Sequence, residues 1–157
     1  MNSKVLVISL LVAAHAFAGP SGRVSPDPKA TCPHSGFKPH ELCFDIPTDG
    51  IARAEVDSEA FYAILLKTAD RCTIPETERL QVQQLFPRSK VFSMRFFCDD
   101  DVEENVTYTN VNDKFGFLAL YAGRSLKEAK ARLAEVKATG KFPGANIRKM
   151  QAKRISP

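Results

Sequence analysis

Two short stretches of this chain match each other: residues 61–65 read Phe-Tyr-Ala-Ile-Leu, and residues 117–121 read Phe-Leu-Ala-Leu-Tyr. They start 56 residues apart. The same offset, without gaps, places the Phe-Pro pair at 86–87 on the Phe-Pro pair at 142–143. A repeat at constant offset indicates that one structural unit occurs twice in the chain.

Each copy of the unit is predicted to be a strand, a helix and a second strand. The opening strands are apolar runs of strand length at 61–66 and 115–122. The first helix is expected to begin around Thr73-Ile74-Pro75-Glu76, with Pro75 in its first turn, and to end near Leu85. The closing strands are predicted at 91–98 and 145–152.

The second helix has the clearest boundaries. Ser125 and Glu128 form the pattern of a capping box, in which each side chain accepts a hydrogen bond from the other residue's backbone N–H. Gly140 is expected to end the helix in a left-handed conformation. The apolar residues between them fall on one helical stripe: Leu126, Ala129, Leu133 and Val136.

Two such units in tandem predict an α+β fold of the ferredoxin-like β-α-β-β-α-β type. The sheet is then antiparallel, both helices cover one of its faces, and right-handed crossovers give the strand order four-one-three-two. Residues 105–111, a turn at Asn112-Asp113 and the strand from Phe115 onward are expected to form a hairpin between the two units.

Residues 119–129, Ala-Leu-Tyr-Ala-Gly-Arg-Ser-Leu-Lys-Glu-Ala, resemble the strand, glycine and helix start of the SPOR domain. The resemblance spans about 60–152 and implies a β-α-β-β-α-β module that binds peptidoglycan glycan strands stripped of their peptide stems. The chain departs from the family at Arg124, where an aromatic residue is common, and at Lys67, where the first copy lacks the glycine. Later positions that match are Leu133, Lys137, Gly140, residues 142–145 and Ile147.

The N-terminus has the three parts of a cleavable export signal, predicted to occupy residues 1–18. A single Lys4 precedes an apolar run, and an Ala-x-Ala pattern ends at Ala18. A membrane anchor is the alternative, but the run is shorter than the ~20 residues that a spanning helix needs. The mature chain is therefore expected to be secreted, or periplasmic in a bacterium, as a Pro-rich irregular arm at 19–57 and one domain at 58–157.

Four cysteines in an exported chain predict two disulfides: Cys32, Cys43, Cys72 and Cys98. Three connectivities exist, and we favour Cys32–Cys43, which closes a short Pro/Gly-rich loop, together with Cys72–Cys98. The Cys72–Cys98 bridge would join the same ends of two strands that are separated by one intervening strand. A zinc site is the alternative, but the chain has no Cys-x-x-Cys pair.

One acidic segment is a candidate calcium site, since calcium prefers several carboxylate oxygens from a flexible loop. A solvated surface is the simpler interpretation. Next to it, Asn105-Val106-Thr107 is a sequon for N-glycosylation of Asn105. The carboxylates of the segment are Asp99, Asp100, Asp101, Glu103 and Glu104.

One face of the predicted sheet carries an unexplained set of apolar side chains. The period-two rule places Phe61, Ala63 and Leu65 on the same face as Phe117, Ala119 and Tyr121. The helices cover only the opposite face, so this one is covered by the arm, which we favour, or by a second subunit, or it binds a ligand. In the last case the ligand-binding residues are Phe61, Leu65, Phe117 and Tyr121.

No catalytic residue or cofactor is predicted, because the domain at 58–157 has no histidine and no evident nucleophile–base pair. The chain is expected to be a secreted, non-catalytic module that binds a glycan or cell-wall polysaccharide. The alternative is a structural component of an extracellular matrix, including a mineral-associated one, and a protease inhibitor is a third hypothesis without a recognisable reactive loop. Nucleic acid and membrane are not expected partners, although the C-terminal region is basic, with Arg148, Lys149, Lys153 and Arg154.

Overall fold

The structure is a computed structural model that describes residues 21–34, 36–46, 55–95 and 106–155. Their regular elements fall into two helices and two antiparallel sheets, so the predicted α+β class is confirmed. In chain order the elements are β1 (Glu55–Asp57), β2 (Phe61–Asp70), α1 (Glu76–Leu85), β3 (Val91–Met94), β4 (Val106–Tyr108), β5 (Phe115–Gly123), α2 (Leu126–Ala138), β6 (Asn146–Met150) and β7 (Ala152–Ile155).

The larger sheet has four strands in the order β3-β5-β2-β6, and every neighbouring pair is antiparallel. Counted along the chain, these are the four predicted strands in the predicted order, four-one-three-two. A helix follows the first strand of each pair, since α1 lies between β2 and β3 and α2 lies between β5 and β6. The order and the connections are those of a split β-α-β arrangement; the duplication itself stays an inference from the sequence.

A second sheet of three short strands, β1-β7-β4, was not anticipated. The predicted hairpin is wrong: β4 pairs with β7, through Val106–Arg154 and Tyr108–Ala152, and not with β5. Both edges of β5 are already occupied by β2 and β3, so β4 has no place beside it. The single strand predicted at 145–152 is also corrected, because it divides at Gln151 into β6 of one sheet and β7 of the other.

Helix α2 confirms the predicted capping box. The Ser125 hydroxyl accepts a hydrogen bond from the Glu128 N–H (3.2 Å), and the Glu128 carboxylate accepts one from the Ser125 N–H (2.9 Å). Gly140 has the expected positive φ of 68° just beyond the helix. Helix α1 differs at its start, where Pro75 is the N-cap residue and no side chain caps the helix. It ends at Leu85, as predicted.

The larger sheet is covered on both faces. The helices pack on one face, where Ile64, Leu118 and Leu120 lie in a cluster with residues of α1 and α2. The opposite face contacts the described part of the arm and the second sheet. The covering side chains are Val24, Leu42 and Phe44 from the arm and Val56, Val106, Tyr108 and Ala152 from the second sheet.

Backbone hydrogen bonds and one disulfide fix the arm to the sheet. The Lys90 N–H donates to the Pro26 carbonyl (2.9 Å), and the Ser93 N–H donates to the His40 carbonyl (3.0 Å), so the arm lies along the outer edge of β3. Cys32 and Cys43 form the expected disulfide, with their Cα atoms 5.6 Å apart. The arm is therefore an integral layer of the domain.

Gly22 is packed tightly against the backbone of Asp45. A methyl group on its Cα would lie 1.8 Å from the Asp45 carbonyl oxygen. We expect Gly22→Ala to lower the free energy of unfolding by about 1–3 kcal/mol, because the arm backbone must shift to relieve this overlap. Gly144→Ala is the matched control, expected within about 0.5 kcal/mol of wild type, since no heavy atom lies within 4 Å of its added methyl.

Urea denaturation followed by far-UV circular dichroism measures both variants. An equal, small effect of the two substitutions would contradict the described packing of Gly22 against Asp45.

Candidate ligand-binding site

The four side chains predicted to bind a ligand do share one face of the sheet, but that face is not open. Phe61 and Phe117 are 0% and 1% exposed, and Leu65 and Tyr121 are each 8% exposed. Of the three alternatives for this face, the structure shows the covering arm, joined by the second sheet. Packing of these layers leaves Phe61 with no exposed surface for a ligand. Tyr121 is nearly buried and lines a different cavity from the one described next, so a ligand-binding role for these two residues stays a prediction.

The arm and the second sheet do not reach one end of the larger sheet, where a cavity of about 320 Å³ remains. We call it the sheet-end cleft. It includes two of the predicted residues, Leu65 and Phe117, at its base. The other described residues that line it are Thr68, Asn110, Val111, Asn112, Phe115 and Arg148.

A β-bulge in β2 places Thr68 in this cleft. The register with β5 shifts between Leu65 and Lys67, so that Leu66 and Lys67 both lie on the helix side. Lys67 there forms an ion pair with Glu78 of α1 (2.8 Å). Because a bulge inserts one extra residue, the alternation resumes one position later and Thr68 lies opposite Phe117.

The loop after β4 forms the polar wall of the cleft. Asn110 has a left-handed φ of 58°, which asparagine tolerates better than most residues. Its side-chain amide donates to the Lys149 carbonyl of β6 (2.6 Å). The Phe115 N–H donates to the Asn112 carbonyl (3.2 Å), which confirms a turn at the predicted position. These bonds hold the two asparagines beside the sheet.

Phe115 and Arg148 are exposed residues of the cleft, as are Thr68, Asn110 and Asn112. Phe115 lies opposite Asp70 at the start of β5 and is 41% exposed. Arg148 lies opposite Ala63, whose side chain belongs to the arm-side core, so both share that face of the sheet. The exposed guanidinium of Arg148 makes no hydrogen bond or ion pair with the described residues, and no acidic side chain is among the described residues lining the cleft.

Most residues of this site were not predicted from the sequence. Phe115 continues the period-two series of 117, 119 and 121, so its place on the aromatic face was available from the pattern. Arg148 was considered only as part of a basic C-terminal region. That region has no single role: Lys153 forms an ion pair with Glu55 (2.9 Å), and the Arg154 guanidinium lies 4.9 Å from the centre of the Phe37 ring.

Several predicted sites lie outside the described residues. They are the signal at 1–18, the calcium candidates Asp99, Asp100, Asp101, Glu103 and Glu104, the sequon residue Asn105, and Cys98. Cys72 is disulfide-bonded. In the described ranges, no group of three or more His, Cys, Asp or Glu side chains is placed to hold a metal ion.

Comparison with known proteins gives no relative: no family model, curated protein or solved structure matches this chain. Neither helix in the described part of the chain is long and apolar enough to cross a membrane.

Proposed function

We propose that this chain is an exported, non-catalytic binding module that holds a glycan in the sheet-end cleft. The observation that carries the proposal is the grouping of an exposed aromatic ring, Phe115, with the Arg148 guanidinium, which has no partner among the described residues, and with the amides of Asn110 and Asn112. The resemblance to the SPOR family, whose members bind glycan strands, supports the same class of ligand.

Sugar chemistry fits this set of groups. A sugar ring has an apolar C–H face, which packs on an aromatic ring, and hydroxyl groups at its edge, which bond to amides and hydroxyls. Phe115 offers the ring, while Asn110, Asn112 and Thr68 offer the polar groups. Because Arg148 is the only charged residue among the described residues of the lining, the cleft favours a glycan that carries carboxylates.

The described residues lining the cleft support a binding role over a catalytic one. They include no carboxylate, histidine, cysteine or lysine. A general acid, a general base or an activated nucleophile would require such a group within hydrogen-bond reach of the substrate.

Co-sedimentation of the mature chain with insoluble polysaccharides tests the proposal. Peptidoglycan stripped of its peptides, which carries carboxylates, is expected to pellet the protein saturably, and neutral chitin and cellulose are expected to pellet it less. Phe115→Ala and Arg148→Met are each expected to weaken binding about tenfold, the equivalent of about 1.4 kcal/mol.

Two control variants make the same kinds of substitution at positions outside the described lining of the cleft. Leu126, at the start of α2, is 45% exposed and lies outside the described lining, so Leu126→Ala removes comparable apolar surface. Lys149→Met removes a charge from the residue beside Arg148 that does not line the cleft. The proposal is contradicted if the protein binds none of the glycans, or if all four variants lose binding to the same extent. Pelleting with calcium carbonate alone would instead favour the mineral-associated matrix component.

A further inference from the structure

A second and larger cavity lies between the disulfide loop of the arm and helix α1. Its volume is about 660 Å³, within the roughly 300–1,000 Å³ typical of small-molecule sites. We call it the arm–helix cleft. It shares no lining residue with the sheet-end cleft, so the inference drawn from it does not depend on the proposed glycan site.

The charged side chains that line this cavity are basic. They include Lys38, Arg79 and Lys90, and no aspartate or glutamate is among the described lining residues. Arg79 is buried, and its guanidinium already has partners within the protein. It donates to both carboxylate oxygens of Glu76 and to the Val91 carbonyl. Arg79 is therefore fixed in position, and the Glu76 carboxylate offsets its charge.

Lys90 has bonding capacity left among the described residues. An ammonium group has three donors, and within the described part of the chain that of Lys90 makes one hydrogen bond, to the Pro39 carbonyl (2.7 Å). Partial burial lowers the pKa of Lys90, and the Arg79 charge lowers it further, against the opposing effects of Glu76 and Glu41. An anion bound at Lys90 would replace the hydration lost on burial.

Apolar surface lines the same cavity. Leu80 of α1 is 47% exposed, although its helix packs on the sheet. Phe37 of the arm is held edge-on against Phe44, with ring centres 5.2 Å apart, and Arg154 lies over it. These two side chains line the same cavity as Lys90, so a ligand in it can meet both an apolar surface and a cation.

We infer that the arm–helix cleft binds a small amphipathic anion, with its charged head at Lys90 and its apolar body against Phe37 and Leu80. A medium-chain carboxylate has this chemistry, and so does an aryl sulfonate. Neither a free inorganic anion nor a neutral apolar molecule satisfies both parts of the cavity.

Fluorescence titration with 8-anilinonaphthalene-1-sulfonate tests the inference on the folded, mature chain. The expected result is one saturable site, displaced by decanoate but not by decanol or by sulfate at equal concentration. Lys90→Met is expected to weaken binding about tenfold or more, as loss of a charge-assisted contact does. Leu80→Ser, at an exposed position, is expected to weaken it several-fold with little effect on folding.

Lys127→Met and Leu126→Ser are the matched controls, since both residues lie at the start of α2 and neither lines the cavity. They are expected to bind like wild type, and far-UV circular dichroism verifies that every variant is folded. The inference is overturned if decanol competes as well as decanoate, if sulfate alone displaces the dye, or if Lys90→Met and Leu80→Ser bind like the controls.

Discussion

Phe92→Ala is expected to lower the free energy of unfolding by about 3–5 kcal/mol, the range for removing a fully buried phenylalanine. Phe92 has no exposed surface, and its ring centre lies 5.1 Å from that of Tyr108, 6.0 Å from that of Phe117 and 6.1 Å from that of Phe61. Tyr108 belongs to the second sheet and the other two rings to the first. The substitution therefore leaves a cavity where the two sheets meet.

The loss is a large share of the roughly 5–15 kcal/mol that stabilises a typical domain. Phe115→Ala is the control, since Phe115 of β5 is an aromatic residue on the same face as Phe92 of β3 but is 41% exposed. It is expected to cost less than about 1 kcal/mol. Guanidinium denaturation of both variants measures the difference, and equal costs would mean that the second sheet does not pack on the first as described.

Cys32→Ala/Cys43→Ala is the second substitution with a large expected effect. The bridge joins residues separated by 11 positions, and its removal is expected to cost about 2.5–3 kcal/mol through the greater freedom of the unfolded chain. Replacing both cysteines avoids an unpaired thiol. The variant also leaves Cys72 and its bond unchanged, which chemical reduction would not.

Hydrogen exchange shows where this loss falls. The Ser25 N–H donates to the Cys43 carbonyl, and the Ser93 N–H of β3 donates to the His40 carbonyl of the arm. In the variant, both amides are expected to exchange faster through local opening of the arm, while amides between β2 and β5 keep most of their protection. If exchange accelerates equally at all amides, the arm opens only when the whole domain unfolds. Separate local opening of the arm would then be contradicted.

Local patterns in the sequence were sufficient to predict the larger sheet. The apolar runs around Phe61 and Phe117 alternate with period two, and the capping box at Ser125 fixes the start of α2. Right-handed crossover then leaves one strand order, which the structure shows. The same alternation identified the second apolar face and required something to cover it.

The cover itself could be predicted only in part, for a physical reason. Strands β1, β4 and β7 have three or four residues each, too few to show a period, and their pairing joins Val56 to Arg154 across most of the domain. Such long-range pairing depends on which edges remain free after the larger sheet forms. The sequence of β4 alone therefore suggested a local hairpin with β5.

The residues of the candidate site could likewise be predicted only in part. Leu65 and Phe117 were identified because alternation reports the face on which a side chain lies. Thr68 was missed because the bulge after Leu65 inverts that alternation. Asn110 and Arg148 were missed because they belong to separate elements that meet only in the folded chain.

A two-dimensional ¹H–¹⁵N NMR titration of the mature chain with soluble, peptide-free peptidoglycan oligosaccharides can locate a glycan in the sheet-end cleft. We expect saturable shifts centred on Asn110, Asn112, Phe115 and the Arg148 backbone, with the arm–helix cleft at Lys90 unaffected. Absence of shifts at saturating oligosaccharide, or shifts confined to residues outside the cleft, would contradict it.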